Sequence, residues 1–139
     1  MFNKSIWRLF KEAEIEFERT KKTGKARKLI PSRVNFTDSV INVSYASMMV
    51  AGFSTGNKQL IGRSMNDNIV ESARSNTIPN YTEIKSKLLD IGALGVTISG
   101  AGPSIISFTD NKKLFPKIKK CFKTQFKSAG FESSVITTK

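Results

Sequence analysis

The chain has 139 residues, 39% of them hydrophobic, which suits one compact domain with its own core and excludes a disordered tail. The 23 lysines and arginines outnumber the 11 acidic residues, and the resulting net charge of +12 fits a nucleic-acid surface, a solvated shell or anionic substrates. With no histidine and a single cysteine, we predict neither a metal site nor an internal disulfide.

No stretch of the sequence has the continuous hydropathy of a membrane span or a signal peptide. The longest apolar stretch, residues 40–53, is too short and is interrupted by polar residues. We therefore expect a cytoplasmic protein with no membrane partner, and the single cysteine also favours a reducing compartment.

Residues 1–13 are expected to be an irregular or helical lead-in, because apolar positions among them follow helical spacing. Strict alternation of acidic and apolar residues then predicts a half-buried strand over residues 14–18. The polar segment 19–28 follows, and Pro31 ends the short element after it because proline disfavours helix at the preceding residue.

A long helix is predicted to begin at Thr37 or Asp38 and to run to about Ser54. Apolar residues surround most of its axis, which indicates a helix that is buried or faces a partner. Shorter helices are predicted over residues 59–65 and near residues 66–73.

Asn80, with Glu83 three residues later, forms a capping-box pattern ahead of the next helix, which Gly92 is expected to end. Two short apolar runs, residues 95–98 and 105–108, flank a turn-rich loop. This pattern predicts an antiparallel pair of strands.

The last helix is predicted to open at Asp110 or Asn111 and to run to about Ser128, with Gly130 as its C-cap. A final strand is expected over residues 132–138. The order of elements predicts an α+β fold, a two-layer sandwich with helices on one face of an antiparallel sheet.

The loop between the paired strands, residues 99–104, has the sequence Ser-Gly-Ala-Gly-Pro-Ser. Its two glycines permit a tight turn and a close approach of the backbone, and its N–H groups can bind an anion. A bare turn between strands is the alternative, and the loop lacks the Gly-Lys-Ser/Thr of a Walker motif.

The run 92–104, which contains this loop, resembles the third conserved motif of the galacto-, homoserine, mevalonate and phosphomevalonate (GHMP) kinase superfamily. Four upstream segments are similar to homoserine kinases in particular: residues 25–31, 61–67, 69–74 and 78–81. The resemblance runs from about Glu14, so residues 14–139 are expected to form the superfamily's ferredoxin-like C-terminal domain, with residues 1–13 outside it.

The resemblance implies transfer of the ATP γ-phosphate to the side-chain hydroxyl of L-homoserine, a step of threonine biosynthesis. It implies that Arg27 and Arg74 hold the substrate carboxylate, a role that suits planar guanidinium groups, and that Thr23 contacts the substrate. It also places the glycine-rich motif at the active-site wall, through Ser99, Gly100, Ala101, Gly102 and Ser104. Composition alone favours a surface ion pair or a solvated side chain for each arginine, with Asp67 and Glu71 as local partners of Arg74.

The superfamily's phosphate-binding loop and Mg²⁺-binding carboxylate belong to its N-terminal half, and no segment of this sequence matches them. We therefore expect no catalytic residue here, no ATP or Mg²⁺ bound by the 139 residues alone, and no kinase activity without an N-terminal half. We also expect a partner chain or a homo-oligomer to cover apolar surface of the long helix.

Two other functions stay open. Arginines retained without a nucleotide loop fit a non-catalytic amino-acid-binding or dimerisation module. The net charge fits a basic nucleic-acid binder, although the lysines are spread out and are not interleaved with aromatic residues as base stacking requires.

Overall fold

The computed structural model describes residues 10–15 and 22–138, except for the side chains of residues 10–15, 22, 23 and 25. A four-stranded sheet organises these residues: β1 is Phe10–Ile15, β2 is Gly95–Ile98, β3 is Ile105–Phe108 and β4 is Ser133–Thr137. The strand order is β2-β3-β1-β4, and every neighbouring pair is antiparallel. This is a ferredoxin-like arrangement, which confirms the predicted α+β fold.

Six α-helices occur within the described ranges: α1 (Lys22–Lys28), α2 (Phe36–Thr55), α3 (Lys58–Ser64), α4 (Val70–Arg74), α5 (Tyr81–Ile91) and α6 (Phe115–Ser128). Short 3₁₀ turns over Ser75–Thr77 and Lys112–Leu114 come before α5 and α6. None of these helices has the length and hydropathy to cross a bilayer. The helix α1 falls in a stretch where the sequence indicated only a polar segment.

The main core lies between one face of the sheet and the helices α5 and α6. Ile84 and Leu88 of α5 pack with Phe122 of α6 in one cluster of buried side chains, and Val96 and Ile105 join it from the sheet. This is the helix layer that the sequence predicted on one face of an antiparallel sheet.

A second cluster lies on the opposite face of β3. Ile106 and Phe108 alternate with Ile105, so their side chains leave the other side of the strand. There Phe108 packs against Ile61 and Met65 at the α3 side of the sheet, and α2 adds further apolar contacts. The sequence did not predict this packing of α2 and α3 against the sheet.

The first strand begins earlier than the sequence indicated. β1 covers Phe10–Ile15 and pairs with both β3 and β4, so the irregular or helical conformation expected for residues 10–13 is wrong. Pairing with two distant strands outweighs the local helical spacing. The other parts of those predictions, residues 1–9 and 16–18, lie outside the described residues.

The N-termini of α2 and α5 are capped differently from the prediction. Asn35 caps α2, because its side chain accepts a hydrogen bond from the Thr37 N–H at 2.8 Å, so neither Thr37 nor Asp38 is the cap. Asn80 makes no cap bond and donates from its side chain to the Gln125 carbonyl at 3.0 Å, which links α5 to α6. Gly92 ends α5 with a φ of 106°, as predicted.

Candidate functional site at the glycine loop

Arg74 is the best-defined side chain of the candidate site. It is the last residue of α4 and is only 6% exposed. Its Nε donates to the Ala26 carbonyl of α1 at 3.3 Å, and its Nη1 donates to the Gly100 carbonyl at 3.2 Å. Within the described part of the chain these bonds use two of the five guanidinium N–H donors. Arg74 therefore joins α1 to the glycine loop and retains donors for a ligand.

The acidic neighbours suggested for Arg74 bind elsewhere. Glu71 forms an ion pair with Lys85 and accepts a hydrogen bond from the Thr97 hydroxyl at 3.0 Å. Asp67 accepts from the N–H groups of Ile69 and Val70 and from the side-chain amide of Asn42 on α2. A surface ion pair is therefore the wrong interpretation of Arg74, which is a buried link between two backbone segments.

Arg27 lies on α1, next to the residue that Arg74 binds. Its side chain is exposed, and its neighbour Ala26 supplies the carbonyl that Arg74 binds. Thr23 lies one turn earlier in α1, and its side chain is outside the described part of the structure. The fold thus brings α1, which carries Arg27, next to Arg74, although the two arginines are 47 positions apart in the sequence.

The glycine loop forms a closed turn whose conformation requires glycine at two positions. Gly100 and Gly102 have φ values of 60° and 77°, which other residues rarely adopt. The Ser99 N–H donates to the Ser104 carbonyl at 2.8 Å, and the Gly102 N–H donates to the Ser99 carbonyl at 3.2 Å. Gly100 is exposed, and no atom lies within 4 Å of the position that a Cβ would take. The exposed side of the loop is therefore accessible to a ligand beside Arg74.

Asp67 fixes the start of α4. One of its oxygens, Oδ1, accepts from the N–H groups of Ile69 at 2.8 Å and Val70 at 2.7 Å, and from the side-chain amide of Asn42 on α2 at 2.9 Å. Burial raises the pKa of Asp67, but these hydrogen bonds outweigh it and hold that pKa below its usual value. The carboxylate is therefore ionised at neutral pH and ties α4 to α2.

The contact of Glu71 with Lys85 and Thr97 is the part of the region that the sequence did not indicate. The three residues lie on α4, α5 and β2, up to 26 positions apart, so no local spacing relates them. No group of histidine, cysteine, aspartate or glutamate in the described residues could hold a metal ion. The region offers guanidinium and backbone groups instead, which suit a carboxylate or another anion.

Comparison with known proteins gives consistent matches. The sequence model of the family described as GHMP kinases C terminal matches residues 49–128. Homoserine kinase from Thermoplasma volcanium is 43% identical over 91 residues, which are 66% of this chain and 29% of that protein. Homoserine kinase from Pyrococcus horikoshii is 34% identical over 117 residues, which are 84% of this chain and 39% of that protein. The chain therefore spans between 29% and 39% of the length of these curated relatives.

Solved structures agree with these matches. A crystal structure of homoserine kinase from Cytophaga hutchinsonii superposes with a TM-score of 0.86 at 33% identity, covering 95% of this chain and 42% of that chain. L. major mevalonate kinase superposes with a TM-score of 0.62 at 15% identity, covering 94% of this chain and 43% of that chain, and this likeness shows the fold alone.

Proposed function

We propose, because this chain belongs to the GHMP kinase family through its C-terminal domain, that it is the substrate-binding domain of a homoserine kinase. Assembled with an N-terminal kinase half, it would take part in transfer of the ATP γ-phosphate to the side-chain hydroxyl of L-homoserine, a step of threonine biosynthesis. The observation that carries the proposal is the buried guanidinium of Arg74, which joins α1 to the glycine loop.

The role proposed for the arginines is to hold the carboxylate of the amino acid. Arg74 is held in place by two backbone carbonyls, so its other N–H groups lose little freedom when a carboxylate binds. Arg27 and Thr23 on α1 would contact the same substrate. Bidentate pairing between guanidinium and carboxylate fixes orientation as well as affinity, and the target hydroxyl must be placed accurately for phosphoryl transfer.

ATP and Mg²⁺ would come to the site with the N-terminal half, on the same chain or on a partner. Phosphoryl transfer depends on positioning and on neutralising charge at the phosphates, and the described residues offer no carboxylate cluster for a metal. The glycine loop, through Ser99, Gly100, Ala101, Gly102 and Ser104, would form one wall of the completed site.

The exposed face of α2 is the surface that we expect a partner to cover. Phe36 is 82% exposed, Val43 is 66% exposed and Val50 is 67% exposed. The hydroxyls of Ser44 and Ser47 on this face donate to carbonyls of their own helix, so covering them would leave no donor unpaired. The face fits the expected N-terminal half or a second copy of the chain, and sedimentation of a stable monomer would contradict a homo-oligomer.

Calorimetry with L-homoserine tests the proposal. We expect binding that Arg74→Ala and Arg27→Ala abolish, while Arg63→Ala, at an exposed arginine of α3, leaves it unchanged. L-homoserine lactone, which lacks a free carboxylate, is the control ligand and should not bind. Binding of homoserine that persists in both site variants would overturn the proposed role of the arginines, and equal binding of the lactone would overturn carboxylate recognition.

The basic surface of α6 and of the 3₁₀ turn before it favours a second candidate, a nucleic-acid binder. Seven lysines are exposed between positions 112 and 127, and no acidic residue occurs among them. A retardation assay across a salt series tests this, because phosphate-driven binding weakens steeply as salt rises. Absence of binding at low salt would remove the candidate.

A non-catalytic amino-acid-binding module would instead bind homoserine and fail to support phosphorylation when joined to a kinase half.

A further inference from the structure

Glu71 is a buried carboxylate on α4 that has no part in the proposed grip on the substrate. The residue is 9% exposed. Its Oε1 accepts from the Lys85 ammonium of α5, and its Oε2 accepts from the Thr97 hydroxyl of β2 at 3.0 Å. The same ammonium donates to the side-chain oxygen of Asn66 at 3.0 Å. Glu71 therefore ties α4 to a second helix and to the sheet at once.

The bond from Thr97 lies beside the bond that Arg74 makes. Arg74 follows Glu71 by three residues, and Gly100 follows Thr97 by three residues. Two hydrogen bonds, of 3.0 Å and 3.2 Å, thus join α4 to the end of β2 and the start of the glycine loop at neighbouring positions. A helix of five residues is not stable by itself, so tertiary bonds set where α4 lies.

Tyr81 lies beside Glu71. Its hydroxyl is buried, next to the side chains of Glu71 and Thr97. Burial first, and then the charge of Glu71, raise the pKa of Tyr81, so the phenol stays neutral. Glu71 is itself largely buried, so a hydrogen bond to its carboxylate is stronger than one in water, and removing that bond leaves a polar atom unpaired at a cost.

We propose that Glu71 is a positioning residue of the substrate site, because its bonds to Lys85 and Thr97 fix the distance between α4 and the end of β2 and thereby direct the guanidinium of Arg74. Glu71 contacts no substrate and acts only through Arg74. The inference rests on the proposed function in one respect, that the ligand held by Arg74 is a carboxylate.

Substitutions on the intact chain test this. Thr97→Val keeps the shape of the side chain and removes the hydroxyl, whereas Thr97→Ser keeps the hydroxyl. Glu71→Gln removes the charge. Glu83→Gln is the matched control, because Glu83 forms an exposed ion pair with Lys87 on the same helix as Lys85. The readouts are water exchange of the Arg74 Nε–H, followed by NMR and assigned with Arg74→Lys, and L-homoserine affinity measured by calorimetry.

We expect Thr97→Val and Glu71→Gln to speed exchange of the Arg74 Nε–H and to weaken homoserine binding about tenfold. Thr97→Ser and Glu83→Gln should match the parent chain in both measurements. A folded Thr97→Val chain with unchanged exchange would overturn the inference, and so would an equal loss in Thr97→Ser. If the parent chain binds no homoserine, the proposed function fails, and the exchange rate alone then decides whether Glu71 positions Arg74.

Discussion

At Gly62 of α3, a substitution by alanine should disturb the packing of α3 against the start of β2. Gly62 lies directly against the backbone that leads into β2. A Cβ at this position would lie 2.6 Å from the carbonyl carbon of Leu94, and Gly95 faces Gly62 across the same contact. Carbon atoms in contact normally lie about 3.5 Å apart, so Gly62→Ala must push α3 and β2 apart by about 1 Å.

The expected loss in the free energy of unfolding follows from the buried residues around the contact between α3 and β2. Ile61 of α3 and Met65, directly after the helix, are buried, and overpacking against a rigid neighbour costs up to about 3 kcal/mol. Alanine in place of glycine inside a helix returns about 1 kcal/mol. The net expectation is that Gly62→Ala lowers the free energy of unfolding by about 2 kcal/mol.

Equilibrium urea unfolding measures this, with Gly24→Ala as the control. Gly24 lies in α1, and no atom lies within 4 Å of the position that a Cβ would take there. Only the helix preference of alanine therefore acts at Gly24, and the free energy of unfolding should rise. The two substitutions are expected to have opposite signs. A Gly62→Ala chain as stable as the parent would refute the close packing of α3 on β2.

Three further outcomes follow from the structure. Ser107→Ala should raise the free energy of unfolding by about 1 kcal/mol, because the Ser107 hydroxyl is buried with no partner among the described residues. Ser64→Ala should lower the free energy of unfolding, because the Ser64 hydroxyl donates to the Ile61 carbonyl at 2.7 Å. Urea unfolding of both variants tests this pair of opposite signs. Asn35→Ala should cost about 1 kcal/mol in the same assay through loss of the α2 cap, and no loss would contradict the cap. The pKa of Asp67 is lowered in the folded chain, so the ionised carboxylate stabilises the fold at neutral pH, and this stabilisation is lost as pH falls below about 4. The difference in the free energy of unfolding between the parent and Asp67→Asn should therefore shrink at low pH. A difference that does not change with pH would contradict this.

Local signals in the sequence were sufficient for several elements. The strands β2 and β3, the glycine loop between them and the end of α5 at Gly92 lie where turn residues and apolar runs placed them. Each of these depends on residues close together in the chain. β1 does not, because its ends are set by pairing with β3 and β4, more than 90 positions away, and its start was therefore missed.

The candidate site shows the same division. Spacing alone could not single out Arg74, and composition favoured a surface ion pair, so its assignment came from resemblance to homoserine kinases. The structure adds what resemblance did not contain, the two carbonyls that hold its guanidinium. The bonds of Glu71 to Lys85 and Thr97 join three elements, and no property of a single segment indicates which polar groups will meet in the folded chain.

The central claim is that this domain supplies the residues that bind the substrate carboxylate in a homoserine kinase. The most direct measurement uses a chimera in which this chain replaces the matching region of the Thermoplasma volcanium homoserine kinase. We expect the chimera to phosphorylate L-homoserine with ATP, with activity lost in Arg74→Ala and kept in Arg63→Ala. A chimera that folds and binds ATP but does not phosphorylate L-homoserine would contradict the claim.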